Sequence, residues 1–175
     1  MNSRSLIAPL VEHYLSLLGE TDDAPTRGES TDVPQWHEWD EYRLLVLAWV
    51  LFAWLTLLEL VGDTASITSM RRFPGSNLRR GGTPGSRHLY QDDETGHSIE
   101  RNGSHVEGIQ GRPFGAVDGR LDNASSIAWL RQHAQWVPHY IRAVTGWPHG
   151  VGVIIYRSGA IHLDLRATPD YVEVK

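Results

Sequence analysis

The sequence predicts an α+β domain, with helices packed on a small antiparallel sheet. Three observations carry that expectation. Apolar residues recur at helical spacing near the N-terminus and again around residues 127–137. An apolar run long enough for a helix of about five turns fills residues 44–61. A β-branched run and a stretch of alternating apolar and polar residues, separated by a turn, lie near the C-terminus.

In chain order, Leu6, Leu10, Val11, Tyr14, Leu17 and Leu18 predict a helix over 5–18, with Gly19 as its stop. Residues 19–34, rich in Asp, Thr, Gly, Ser and Pro, have little to bury and predict a mobile acidic loop. Residues 1–39 are therefore expected as an N-terminal helix and loop, and 40–175 as a single domain. In the run Leu44–Val61 all 18 residues are apolar except Thr56 and Glu59. That approaches the roughly 20 residues a membrane span needs. Asp40, Glu41 and Arg43 precede it and Asp63 follows it, so its flanks show no positive-inside asymmetry. A buried core helix is the expectation and a membrane or interfacial helix the alternative.

Ala65–Ser69 predicts a short strand. Residues 71–86, rich in Gly, Pro, Asn and Arg, predict a loop. Residues 90–114 are polar and Gly-containing, which predicts a long surface insertion. Ile127, Leu130, Ala134 and Val137 mark a second amphipathic helix, capped by Asp122 or Asn123 and ended or kinked at Pro138. Trp49, Trp54, Trp129 and Trp136 sit at helical positions and are expected as packing residues. Val151–Tyr156, the turn 157–159 and Ala160–Leu165 predict a hairpin, with Tyr171–Val174 as an added edge strand.

Composition narrows the chemistry. The chain of 175 residues has no cysteine, which removes disulfides, thiolate-bound metals and thiol nucleophiles. Its net charge of −5 disfavours a phosphate-backbone binder, so no nucleic-acid partner is expected. Nine histidines with 21 acidic residues leave imidazole and carboxylate as the metal ligands open to it. On the last hairpin arm, His162 and Asp164 alternate with Ile161, Leu163 and Leu165, so both fall on one face of a strand. A solvated polar face and a metal ligand beside a carboxylate both fit that pattern.

Two stretches, taken in order, resemble a known family. Residues 66–89, Ser-Ile-Thr-Ser-Met-Arg-Arg-Phe-Pro-Gly-Ser-Asn-Leu-Arg-Arg-Gly-Gly-Thr-Pro-Gly-Ser-Arg-His-Leu, are similar to the I-T-S-G-Y-R-S-P-x-x-N…G-G-x-x-x-S-x-H-L of the M15 zinc peptidases. Gly150–Tyr156 and Ser158–Arg166 resemble that family's G-V-G-x-Y…S-G-F-x-H-x-D-x-R. The resemblance spans about residues 42–166. It implies a zinc peptidase fold related to hedgehog domains, and hydrolysis of peptidoglycan stem peptides. The family contains D-Ala-D-Ala carboxypeptidase-like and L-Ala-D-Glu endopeptidase-like enzymes of bacteria and their phages. Carried over by position, the zinc ligands are His88, Asp118 and His162, and Arg72 grips a substrate carboxylate. Two imidazoles and one carboxylate leave a fourth zinc position for water.

This chain departs from the family pattern twice. His88 and Asp118 stand 30 positions apart where the family has seven, with the insertion between them; His105, within it, is an alternative donor. Loop closure grows only slowly with length, so the ligands can still meet. Gly159 occupies the place, three residues before the last His, where many members carry a catalytic acid; Asp164 is then the nearest candidate base. The alternative function is a non-catalytic structural or cell-wall-binding component of a phage virion, with assembly partners. Met1–Leu18 shows no secretory pattern, so a cytoplasmic or phage-particle location is expected and a membrane partner is not.

Overall fold

A helix apolar on every side has to be covered on every side, and the long central helix sets the architecture. The structure is a computed structural model that describes residues 4–18, 41–70, 97–101, 104–107, 115–166 and 169–175. Helix α1 (Arg4–Leu17) lies against α2 (Glu41–Val61). The chain continues through β1 (Ala65–Ser69), β2 (His97–Arg101), β3 (Ser104–Glu107) and β4 (Gly115–Leu121). Helix α3 (Ala124–His133), a 3-10 turn (Ala134–Trp136) and α4 (Val137–Thr145) follow, then β5 (Gly150–Ile155), β6 (Ala160–Arg166) and β7 (Tyr171–Val174).

The class is α+β. Five strands form one sheet in the order β1-β4-β6-β5-β7, and β2 and β3 form a separate two-stranded sheet. The main sheet is mixed rather than wholly antiparallel: β7 runs parallel to β5, while the other three pairings are antiparallel. Strand β6 leads into β7 past the start of β5, where Asp170 accepts a hydrogen bond from the Val151 amide at 2.9 Å. That arrangement seats the last strand beside β5 with the direction of β5.

One face of this sheet is the core. Val117, Leu121, Ile161, Leu163, Leu165, Val151, Val153 and Ile155 are all buried there, in one cluster with Leu47, Leu51, Trp54 and Leu57 of α2 and Val137 and Ile141 of α4. Each such aliphatic side chain contributes about 1.5–3 kcal/mol by leaving water. Gly119 on β4 makes room for the Trp54 indole: a Cβ there would lie 2.3 Å from the ring. Helix α2 is long and apolar enough to cross a membrane by length and composition, yet most of Leu44–Val61 is buried against α1, α4 and the sheet. Its two polar residues are accommodated: the Thr56 hydroxyl donates to Phe52 O at 2.8 Å, and Glu59 is exposed. Val11 and Leu15 of α1 belong to the same core cluster, so the N-terminal helix packs as part of the domain that follows.

The expected insertion contains ordered pairing. Strands β2 and β3 form an antiparallel hairpin with Glu100 opposite His105. The acidic loop 19–34 and the Gly-rich loop 71–86 lie outside the described residues. Asn123 is the cap of α3, accepting from the Ser125 amide at 3.0 Å. Pro138 does end the pattern there, through the 3-10 turn, but the chain resumes as α4, whose first turn holds the proline and whose end is Gly146 at φ +71°. Trp54 packs as expected, whereas Trp136 on that turn is 51% exposed.

Candidate metal centre

The second face of the sheet carries the polar residues that the alternation predicted. On β4 and β6, Asp118 and His162 are direct register partners, and Asp164 is opposite Ala116. Even-numbered residues of β6 therefore project away from the core, and the cross-strand pairing places a carboxylate against an imidazole. Asp118 Oδ1 lies 2.8 Å from His162 Nδ1, and Asp164 Oδ2 lies 3.2 Å from His162 Nε2. The ring is thus held on both sides by carboxylates. Arg166, next along the same face, closes a fork on Asp164: Nε donates to Oδ1 at 2.7 Å and Nη2 to Oδ2 at 2.5 Å.

The four side chains differ in exposure. Those of Asp118 and His162 are 24% and 16% exposed, whereas that of Asp164 is 1% exposed. Burial alone would make His162 harder to protonate, but its hydrogen bonds to Asp118 and Asp164, with their charges, outweigh that and push it up to about 9. Burial likewise works against the charged form of Asp164, yet hydrogen bonds from His162 and Arg166 hold it down at about 2. At neutral pH the metal-free cluster is an imidazolium between two carboxylates, with a guanidinium behind one of them.

Of the predicted site residues, the structure brings Asp118, His162 and Asp164 together. His88 and Arg72 lie outside the described residues, and of His105 only the strand position is described. Asp164, the candidate base, is placed unlike a working base. Its oxygens are engaged by Arg166 and His162, and a carboxyl held near 2 is a weak proton acceptor at neutral pH. Gly159 lies in the β5–β6 turn at φ +82°, and a Cβ there would sit 2.6 Å from Ile127 Cδ1 on α3. An acid at that position would start from the helix side of the turn.

Whether a divalent cation fits rests on Asp118 and His162. Two ligand atoms about 2.0–2.1 Å from one zinc ion stand roughly 3.3 Å apart at a tetrahedral angle. The 2.8 Å between Oδ1 and Nδ1 needs only a small separation to reach that. A carboxylate oxygen and an imidazole nitrogen are also suitable donor types for zinc. These two donors fit. Among the described residues, no group of three His, Cys, Asp or Glu is arranged to hold a metal ion.

Sequence reasoning gave no role to Arg166 or Gly152. Arg166 was within reach of the period-two argument, since it continues the row of His162 and Asp164. Gly152 lies in the Gly-Val-Gly stretch of the resemblance, and its importance comes from the β5–β6 register, which sets it opposite Asp164. A Cβ on it would meet Asp164 Oδ2 at 2.3 Å. Comparison with known protein families, with characterised proteins and with solved structures finds no match for this chain.

Proposed function

We propose that this chain is a zinc-dependent peptidase of the M15 type, acting on the stem peptides of peptidoglycan as a D-Ala-D-Ala carboxypeptidase or an L-Ala-D-Glu endopeptidase. The observation that carries the reading is the meeting of Asp118 and His162 across β4 and β6 at 2.8 Å, from positions 44 residues apart in sequence. The resemblance nominates the same two residues as ligands. His88 would be the third, and Arg72 would take the substrate's carboxylate through its planar fork.

In this reading Asp118 and His162 hold the cation at the edge of the cluster, where both side chains reach solvent. Zinc bound there would polarise the scissile carbonyl and acidify a water molecule. Loading the site requires His162 to give up a proton, because an imidazolium nitrogen has no lone pair to offer. Asp118 supplies negative charge to the cation, and Asp164 keeps the far side of the ring engaged.

Metal analysis of the purified chain tests this. One zinc per chain is expected, lost in His162→Ala together with cleavage of peptidoglycan stem peptides. A folded protein that carries no zinc and takes none up on titration would sink the reading. A second reading, a non-catalytic component of a phage particle on the same scaffold, is favoured by Gly159 and by the engagement of Asp164. It expects zinc binding without turnover of any stem peptide.

A further inference from the structure

We propose that Asp164 and Arg166 are positioning residues that fix the His162 ring with Nδ1 turned to Asp118, and that Gly152 and Tyr171 make room for and support them. The inference rests on the metal-site reading above and assigns Asp164 a role other than proton acceptor.

The argument starts from the row His162, Asp164, Arg166 on one face of β6. Asp164 is 1% exposed, and a carboxylate so buried is costly unless its oxygens are satisfied. Arg166, itself 11% exposed, satisfies both oxygens with its fork. The fork locks the carboxylate plane, and Oδ2 then meets His162 Nε2. A neutral imidazole whose Nε2–H is given to a carboxylate keeps its lone pair on Nδ1, the nitrogen beside Asp118.

Two further residues serve this arrangement. Gly152 stands opposite Asp164 on β5, and the ion pair fills the space where a side chain would begin. A Cβ there would lie 2.2 Å from Arg166 Nη2 and 2.3 Å from Asp164 Oδ2. Tyr171 on β7 is in turn the register partner of Gly152, and Arg166 Cζ lies 5.0 Å from its ring centroid. A line of contacts thus runs from the edge strand to the imidazole: Tyr171, Arg166, Asp164, His162.

The test is zinc affinity of the full chain, measured by competition with a chromophoric chelator, alongside nitrogen-15 NMR of the histidine rings. Asp164→Asn is expected to weaken zinc binding about 10- to 100-fold. Arg166→Lys and Gly152→Ala should weaken it in the same direction by less. The zinc-loaded wild type should show His162 protonated at Nε2. Asp164→Asn binding zinc within twofold of wild type while losing peptide cleavage would overturn the positioning role and restore the base. So would a zinc-loaded wild type with the proton on Nδ1. Should Asp164→Asn fail to fold, Gly152→Ala and the wild-type ring signals decide. A wild type that takes up no zinc overturns both this inference and the proposed function. Zinc uptake that none of the three variants alters overturns this inference alone.

Discussion

The two faces of the five-stranded sheet are built from alternate residues of the same strands, yet they obey different physics. On β6, Ile161, Leu163 and Leu165 enter a cluster of apolar side chains drawn from both the sheet and the helices. His162, Asp164 and Arg166, one step out of phase, each depend on a named atom of another side chain. A packed apolar face resists change by volume, because a deleted methylene leaves a void whatever its direction. The polar face resists change by charge and geometry. A shift of one residue in register would exchange the two sets and ruin both, which is why the β4–β6 pairing is strongly specified.

The largest expected effect breaks the apolar side. Leu163→Ala should cost about 2–5 kcal/mol of stability, measured by denaturant unfolding. The zinc affinity of the molecules that remain folded should stay near wild type, since Leu163 points away from His162. Loss of zinc affinity in parallel with stability would mean that the two faces are not separable in this way.

The polar side should show itself through pH. His162 is raised to about 9 from an ordinary 6.5, so its contribution to the metal-free fold is complete below pH 6.5 and lost as pH rises through 9. Asp164, lowered from 3.8 to about 2, contributes above pH 3.8 and loses that contribution as pH falls through 2. The cluster therefore stabilises the metal-free chain most between about pH 4 and 6.5. Thermal unfolding across pH 3–10 should show a decline above 6.5 that His162→Gln flattens. At pH 7, zinc binding should release about one proton per chain, read by calorimetry in buffers of different ionisation enthalpy. A wild type whose stability climbs from pH 7 to 9 would contradict the imidazolium between two carboxylates.

The same contrast explains what was legible in the sequence. Helix α1 follows from its period, α2 from the length of its apolar run, and the β5–β6 hairpin from alternation and turn chemistry, signals that lie within a short stretch of chain. The pairing of His162 with Asp164 on one face follows from period two alone. Strand β4 was not legible as a strand. Gly-Ala-Val-Asp-Gly-Arg-Leu offers three aliphatic side chains and two glycines, a weak β pattern, yet it pairs with both β1 and β6. Tertiary packing explains it: Gly119 is small because Trp54 of α2 lies on it. The parallel edge strand and the closeness of Gly152 to Asp164 are likewise products of long-range register, which no local window contains. Asp118 was nominated through a family resemblance. Its partner on β6 became evident once the two strands were aligned.

The smallest expected effect concerns the turn that joins β5 and β6. Gly159→Glu would put an acid where the zinc peptidases of the resemblance often carry one. Gly159 has φ +82°, and a Cβ there meets Ile127, on the side of α3 rather than of His162. The substitution should therefore cost about 1–3 kcal/mol through backbone strain. It should neither tighten zinc binding nor speed any cleavage of stem peptides. Gly159→Ala should lose nearly as much stability, because the strain arises from having any Cβ at positive φ. A Gly159→Glu variant that gains activity over wild type would show that the turn can reorient its side chain onto the polar face. The division of labour between the two faces would then stop short of the turn.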